Sequence, residues 1–192
     1  MTTQEMLQEL HEKGAVLSGH FRLSSGRHSD TFVQKFRLLE DSRAAKRAGE
    51  MLASKFPEGF DVVAAPAIGA IVLGFVTALA RGARSIFSER VDGEMSFRRG
   101  FAVFPGERTV VVEDVVTTGG SAKEVVDLVA QSGGIVVGIG ALVDRDDSSR
   151  GPLGAPLQAL VTLSVNSWPA ESCPLCADGI PLTDPGSRRL DL

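Results

Sequence analysis

Five short apolar runs, Asp61–Ala65, Ser85–Phe87, Thr109–Val112, Ile135–Val143 and Gln158–Val165, are interleaved with two helical stretches, Gly69–Arg81 and Gly119–Gln131. The runs are rich in β-branched residues and apolar at consecutive positions. A strand that is apolar on both sides must be covered on both sides, which belongs to a parallel sheet between layers of helix. The pattern predicts an α/β fold: a doubly wound, mainly parallel sheet with helices on both faces. Strand order is left open.

Ahead of these runs lies an N-terminal cap. Thr2 and Glu5 have capping-box spacing, Met6, Leu7 and Leu10 make an apolar stripe, and Gly14 closes a helix over Thr2–Lys13. Gly19–Gln34 is polar and turn-rich and reads as loop plus one edge strand. Asp41 or Ser42 caps a second helix, with Ala44, Ala45, Ala48, Met51, Leu52 and Phe56 on its apolar face and Pro57 and Gly59 ending it. A length of 192 residues is expected to form one domain spanning 1–192. Twenty Lys and Arg against 24 Asp and Glu leave a net charge of −4, which offers no general field to nucleic acid or an anionic membrane. No apolar stretch reaches membrane-spanning length, and the start lacks the features of a signal peptide. Two cysteines cannot frame a disulfide scaffold. A soluble protein of the reducing cytoplasm is expected.

The chemistry concentrates in Val110-Val111-Val112-Glu113-Asp114-Val115-Val116-Thr117-Thr118-Gly119-Gly120-Ser121. A buried strand ends in two carboxylates, and a Thr/Gly/Ser loop then opens a helix. Ligands of open α/β sheets bind beyond the carboxyl ends of strands. Gly119 and Gly120 let backbone approach an anion, Thr117, Thr118 and Ser121 add hydroxyls, and the helix amides complete a phosphate cradle. Adjacent acids at a strand tip need a cation or hydroxyl donors; a sugar diol with Mg²⁺ beside it would satisfy both. Read alone, the segment is also compatible with a plain strand–helix turn and two solvated acids. Gly119-Gly120 is not followed by Lys, and Gly138-x-Gly140 lies inside a strand run without a third Gly, so neither a P-loop nor a dinucleotide fingerprint is present.

This segment resembles the 5-phosphoribosyl-1-diphosphate (PRPP) signature of the type I phosphoribosyltransferases. Gly19–Ser29 looks like the N-terminal hood of the orotate-using members, and Asp144-Arg145 after a strand matches them too. The resemblance implies that residues of about 1–40 and 166–192 form a hood around the core. It implies that Glu113 and Asp114 bind the ribose hydroxyls, that Thr117, Thr118, Gly119, Gly120 and Ser121 hold the 5′-phosphate, that Val115 and Val116 also belong to the PRPP site, and that Ala65–Ile71 is the diphosphate loop. Arg145 and Thr117 would contact orotate. Arg90 would bind PRPP from a lid, Glu89–Gly100, that closes over the diphosphate, with Arg98 and Arg99 standing where many relatives carry Lys and His. Arg27 and Lys35 are further candidate cations, each equally readable as a solvated surface charge. The resemblance also implies Mg²⁺ carried by PRPP and water without a firm protein ligand, orotate and PRPP as substrates, no nucleic-acid or membrane partner, and a homodimer with shared active sites.

Two other readings share the motif: transfer to another base, and a PRPP-sensing regulator that binds nucleic acid through Arg22, Arg27, Lys35 and Arg37. Cys173-Pro174-Leu175-Cys176 supplies half of a zinc site. His11, His20 and His28 are far away in sequence, so the expectation is a buried turn or a disulfide, with pooling of two such pairs in a dimer as the metal alternative. Trp168 is expected to anchor the tail to the body.

Overall fold

Helices cover both faces of a six-stranded sheet in the computed structural model, which describes residues 2–23, 25–146 and 150–185. Ser24 of the hood motif and the tail beyond Pro185 lie outside the described residues. In chain order the elements are α1 (Thr3–Glu12), β1 (Val16–Arg22), β2 (His28–Val33), a single turn α2 (Phe36–Leu39), α3 (Ser42–Ser54), β3 (Val62–Pro66), α4 (Ile71–Leu79), β4 (Arg84–Val91), β5 (Glu94–Phe97), β6 (Arg108–Val116), α5 (Gly120–Gln131), β7 (Ile135–Asp144), β8 (Leu157–Thr162), β9 (Ser167–Trp168) and, after a 3-10 turn (Ala170–Ser172), α6 (Pro174–Ala177).

The main sheet has the order β5-β4-β3-β6-β7-β8. Every neighbouring pair is parallel except β4 with β5. After β3 the chain adds β4 on one side, then crosses back to add β6, β7 and β8 on the other. The order therefore reverses between β3 and β6, and a crevice opens where the loops after those two strands diverge. On one face Met6, Leu10, Leu52 and Leu73 of α1, α3 and α4 pack against Val63, Val110, Val112 and Leu142. On the other, Ala122, Val125, Val126 and Val129 of α5 pack against Val62, Ala64, Val111 and Ile139. The strand residues alternate between the two layers, which explains why the runs are apolar throughout.

Local signals act as read. Thr2 Oγ1 accepts the Glu5 amide at 3.2 Å, and Glu5 Oε2 accepts the Thr2 amide at 2.7 Å. Asp41 caps α3, accepting from Arg43 and Ala44 at 2.9 and 3.1 Å. The Lys13 ammonium, then those amides, hold its carboxyl down to about 2. Boundaries move: β4 continues to Val91, β8 stops at Thr162, and the helix expected over Gly69–Arg81 spans Ile71–Leu79.

The reading of Gly19–Gln34 as loop plus one strand is corrected. β1 and β2 form an antiparallel hairpin, bulged between Ser18 and Phe21, and β9 pairs with β2 through His28↔Trp168 and Ser29↔Ser167. The polar residues that weakened the strand pattern are bonded inward: Ser29 Oγ donates to the Asn166 carbonyl at 2.7 Å, and His20 and His28 are buried. Phe21 also bridges Thr183, and Arg22 meets Asp184 at 2.6 Å. The hairpin and the tail are thus one small sheet, with Trp168 at its seam, whereas α1 packs on the main core. No helix among the described residues is long and apolar enough to cross a membrane.

The contact between α3 and α4 is closest at Gly49, where a Cβ would stand 2.5 Å from the Val76 carbonyl carbon. Alanine is the better helix former by about 1 kcal/mol, yet overpacking costs about 1–3 kcal/mol. Gly49→Ala is expected to lower the urea midpoint; a raised midpoint would show that the two helices separate freely.

Candidate active site

β6 carries Glu113 and Asp114 to the carboxyl edge of the sheet. The strand does not end there, as the sequence suggested, because Val115↔Val143 and Val116↔Asp144 prolong the ladder with β7. Asp114 is 6% exposed. Its Oδ1 accepts the Val115 amide at 2.6 Å, and its Oδ2 meets Lys35 Nζ at 2.8 Å. Glu113 folds back so that its Oε1 accepts the Asp114 amide at 3.0 Å. Burial, then the adjacent Asp114 charge, push the Glu113 carboxyl well above its ordinary 4.5, against a weaker pull from Lys35. Lys35 is therefore the counter-ion of the acid pair and no free surface charge.

The loop after β3 closes on the same point. At Gly69 a Cβ would lie 1.9 Å from Asp114 Oδ2 and 3.1 Å from Lys35 Nζ, so glycine is needed for the backbone to pass. The Ala67–Ile68 peptide in this loop is cis. The loop after β6 turns through Gly119 at φ +78°, where a Cβ would strike Leu153 Cδ2 at 2.2 Å. Among the described residues no side chain caps α5, so its first amides stay available to an anion. Glu113, residues 115–121 and Glu124 line a cavity of about 240 Å³ there.

Several basic residues converge on this edge. Arg145 donates its amide to the Val116 carbonyl at 2.9 Å, and its Nη2 lies 3.5 Å from Ser29 Oγ in the hood hairpin. Arg150, which the sequence reading missed, bonds the Thr117 carbonyl at 2.9 Å and pairs with Asp144. It fastens the loop after β6 to the tip of β7. Arg90 donates to the Gly93 carbonyl and reaches Glu124 at 2.8 Å, beside the cavity, and that carboxylate raises the guanidinium's pKa. Glu124 was also missed. Its spacing of four from Gly120, in the second turn of α5, was the available signal.

Other candidates lie elsewhere. The expected lid over Glu89–Gly100 is a β4–β5 hairpin turning at Asp92 and Gly93, because Arg90↔Met95 and Glu89↔Ser96 pair as strands. Beyond it, Arg99 grips Glu89 at 2.8 and 2.9 Å and Arg98 is exposed beside them. Arg27 bonds the Ser167 hydroxyl and carbonyl at 3.2 and 2.5 Å, tying the hairpin to the tail. The cationic face that a nucleic-acid reading required is dispersed: Arg22 pairs with Asp184, Lys35 with Asp114 and Arg37 with Glu40.

An acid pair and a phosphate-sized loop at a sheet's switch point define a protein that handles a phosphorylated sugar. Residues 38–168 match the phosphoribosyl transferase domain, and the chain belongs to the phosphoribosyltransferase family. Over 190 residues it is 47% identical to the orotate phosphoribosyltransferase of Caldanaerobacter subterraneus subsp. tengcongensis, covering 97% of this chain and 99% of that protein. It is 46% identical to the orotate phosphoribosyltransferase of Pelotomaculum thermopropionicum, covering 99% and 100%. Among solved structures, the orotate phosphoribosyltransferase of Mycobacterium tuberculosis in complex with inorganic phosphate is similar with a TM-score of 0.68 at 26% identity, over 84% of this chain and 96% of that one. Within the family the chain stands among the orotate phosphoribosyltransferases.

The raised Glu113 pKa has a thermodynamic consequence in the ligand-free protein. An acid whose folded pKa lies above its unfolded value favours folding below the unfolded pKa, and that contribution is lost as pH rises through the folded value. Glu113→Gln removes the titration. The melting temperature of the variant minus that of the wild type is expected to grow as pH is raised from the ordinary 4.5 towards neutrality; a difference independent of pH would show that Glu113 is not strained by burial.

Proposed function

We propose that the protein transfers ribose 5-phosphate from PRPP to N1 of orotate, giving orotidine 5′-monophosphate and diphosphate in pyrimidine nucleotide synthesis. The observation that carries this reading is the anion cradle of about 240 Å³ sharing Glu113 with the acid pair. The amides opening α5 and the hydroxyls of Thr117, Thr118 and Ser121 take the 5′-phosphate. Glu113 and Asp114 accept hydrogen bonds from the ribose hydroxyls. Residues 67–70, whose backbone touches Asp114 at Gly69, lie where the diphosphate leaves. Arg145, poised between the β7 tip and Ser29, offers a planar fork to the orotate carboxylate, with Thr117 as second contact.

As the carbon–oxygen bond to diphosphate breaks, positive charge grows on the ribose ring and negative charge on the leaving group, while orotate N1 forms the new bond. The acid pair lies beside the first charge, with Lys35 paired to Asp114 at 2.8 Å. Arg90 supplies cationic charge at the cavity rim. The carboxyl oxygens of Glu113 and Asp114 are hard donors that would suit a Mg²⁺ ion arriving with the substrate. When bound, that ion would supply positive charge to the leaving diphosphate.

A homodimer with shared sites is supported by an apolar stripe on α4 and its approach: Ile68, Val72, Phe75 and Leu79 are 78, 39, 56 and 61% exposed. Val72, Phe75 and Leu79 share one face of α4, Ile68 precedes it in the entry loop, and such a patch marks an interaction surface. Ile68 neighbours Gly69, so a second copy seated there borders the acid pair.

The direct test follows orotate absorbance with PRPP and Mg²⁺, with adenine, guanine and uracil as alternative acceptors. Loss of orotate absorbance alone is expected; turnover of a purine instead would overturn the assignment. Arg145→Ala is expected to raise the KM for orotate about 10–100-fold, the worth of one charge-assisted hydrogen bond, with a far smaller effect on PRPP. An equal effect on both substrates would remove Arg145 from the base pocket. Light scattering of Phe75→Glu is expected to give a monomer where the wild type gives a dimer; an unaltered dimer would place the interface elsewhere.

A further inference from the structure

We infer that the small sheet formed by hairpin and tail is built around a tetrahedral zinc ion, bound by His20, His28, Cys173 and Cys176. These are the only residues among those described that gather three or more potential metal-ligating side chains of His, Cys, Asp or Glu type, and their ligand atoms all lie within 4.8 Å of one another. The histidines looked remote from the Cys-x-x-Cys pair in sequence. The fold brings them together because Thr183 bonds the His20 carbonyl at 2.8 Å and Trp168 pairs with His28, which lays the tail across the hairpin.

The sulfur–nitrogen distances are those of ligands around one ion, and the two ring nitrogens stand slightly closer. His20 Nε2 and His28 Nδ1 are 3.0 Å apart. Cys173 Sγ lies 3.5 Å from His20 Nε2, and Cys176 Sγ lies 3.7 Å from His20 Nε2 and 3.3 Å from His28 Nδ1. Tetrahedral bonds of about 2.3 Å to sulfur and about 2.05 Å to nitrogen separate the ligand atoms by about 3.3–3.8 Å. In a two-iron cluster with mixed ligation, the cysteine and histidine pairs sit on different irons; here sulfur and nitrogen are too close for that.

The hydrogen bonding of His20 suits metal ligation. His20 Nδ1 lies 2.8 Å from the Ile180 carbonyl and donates to it, which turns the Nε2 lone pair towards the cluster. His20, His28 and Cys173 are 2, 5 and 4% exposed, and two thiolates offset the divalent charge within a buried site. Thiolate and imidazole donors select zinc over magnesium, so this ion is distinct from the one the transfer reaction takes. Its role is structural. It clamps β1 and β2 to α6 and fixes the strand whose Ser29 faces Arg145.

The test is metal analysis of tag-free protein purified without chelators from zinc-supplemented medium. About one zinc per chain is expected in the wild type and less than about 0.2 in Cys176→Ser and Cys173→Ser, since a site deprived of one thiolate loses most of its affinity. Cys176 is exposed, so its replacement leaves the packing intact. Independently of any variant, zinc-depleted wild type titrated with Co²⁺ is expected to develop the intense visible bands of tetrahedral thiolate-bound cobalt. Less than about 0.2 zinc in the wild type with no such bands, a Cys173–Cys176 disulfide in the purified chain, or full zinc retention in both variants would each overturn the inference.

Discussion

Two neighbouring carboxylates, crowded at the edge of a buried strand against one ammonium, set the terms for the rest of the molecule. Charges in such a place are costly unless paired and hydrogen-bonded. Asp114 is satisfied by Lys35 and its own flanking amide. Glu113 is left with the Asp114 amide and an elevated pKa. The loop after β3 must pass at contact distance, which only Gly69 permits. The positions of β3, α4 and the residue preceding α2 are thereby tied to one pair of acids. The switch in strand order supplies the space, since it sends α4 and α5 to opposite faces and leaves their entry loops facing each other across the acids.

Strand-sized apolar runs, the caps Thr2 and Asp41 of α1 and α3, and the Gly-rich turn into α5 were legible because each is written in contiguous residues. The acid pair and Thr117–Ser121 occupy adjacent positions, so one turn of chain displays them together. Lys35 was ambiguous for the opposite reason: its partner is 79 positions on, and nothing local marks it as a counter-ion. The hairpin of the small sheet was half-read, because His20, His28 and Ser29 look like solvent-facing residues until their partners at 166–180 are known. Arg150 sits in a segment without periodicity, and only the folded chain shows it joining Asp144 to the Thr117 carbonyl.

The hairpin and the tail explain how a segment with few large apolar side chains holds a defined shape. Its order comes from bonds between chain ends: Arg27 to Ser167, Arg22 to Asp184, Ser29 to Asn166 and the His/Cys cluster. Most of these are polar and partly exposed, and exposed ion pairs contribute only about 0–1 kcal/mol each. A buried cluster is of a different kind, since its members have few partners other than one another. That difference makes the cluster the natural fixed point of the small sheet and the surface ion pairs its trim.

The cations around the main site divide along the same line. Arg90 and Arg99 are held by Glu124 and Glu89 through side chains that are 45 and 64% exposed. Such exposed, solvent-screened pairs are weakly held, so an incoming polyanion can draw these guanidiniums away at little cost. Lys35 is 27% exposed and its partner Asp114 9%, and removing that ammonium would leave a buried carboxylate uncompensated. The site therefore combines one cation that must stay with several that are free to turn. In the proposed reaction this division would let a fixed acid–lysine centre position a neutral diol while loosely held arginines at the rim adapt to the phosphate charge.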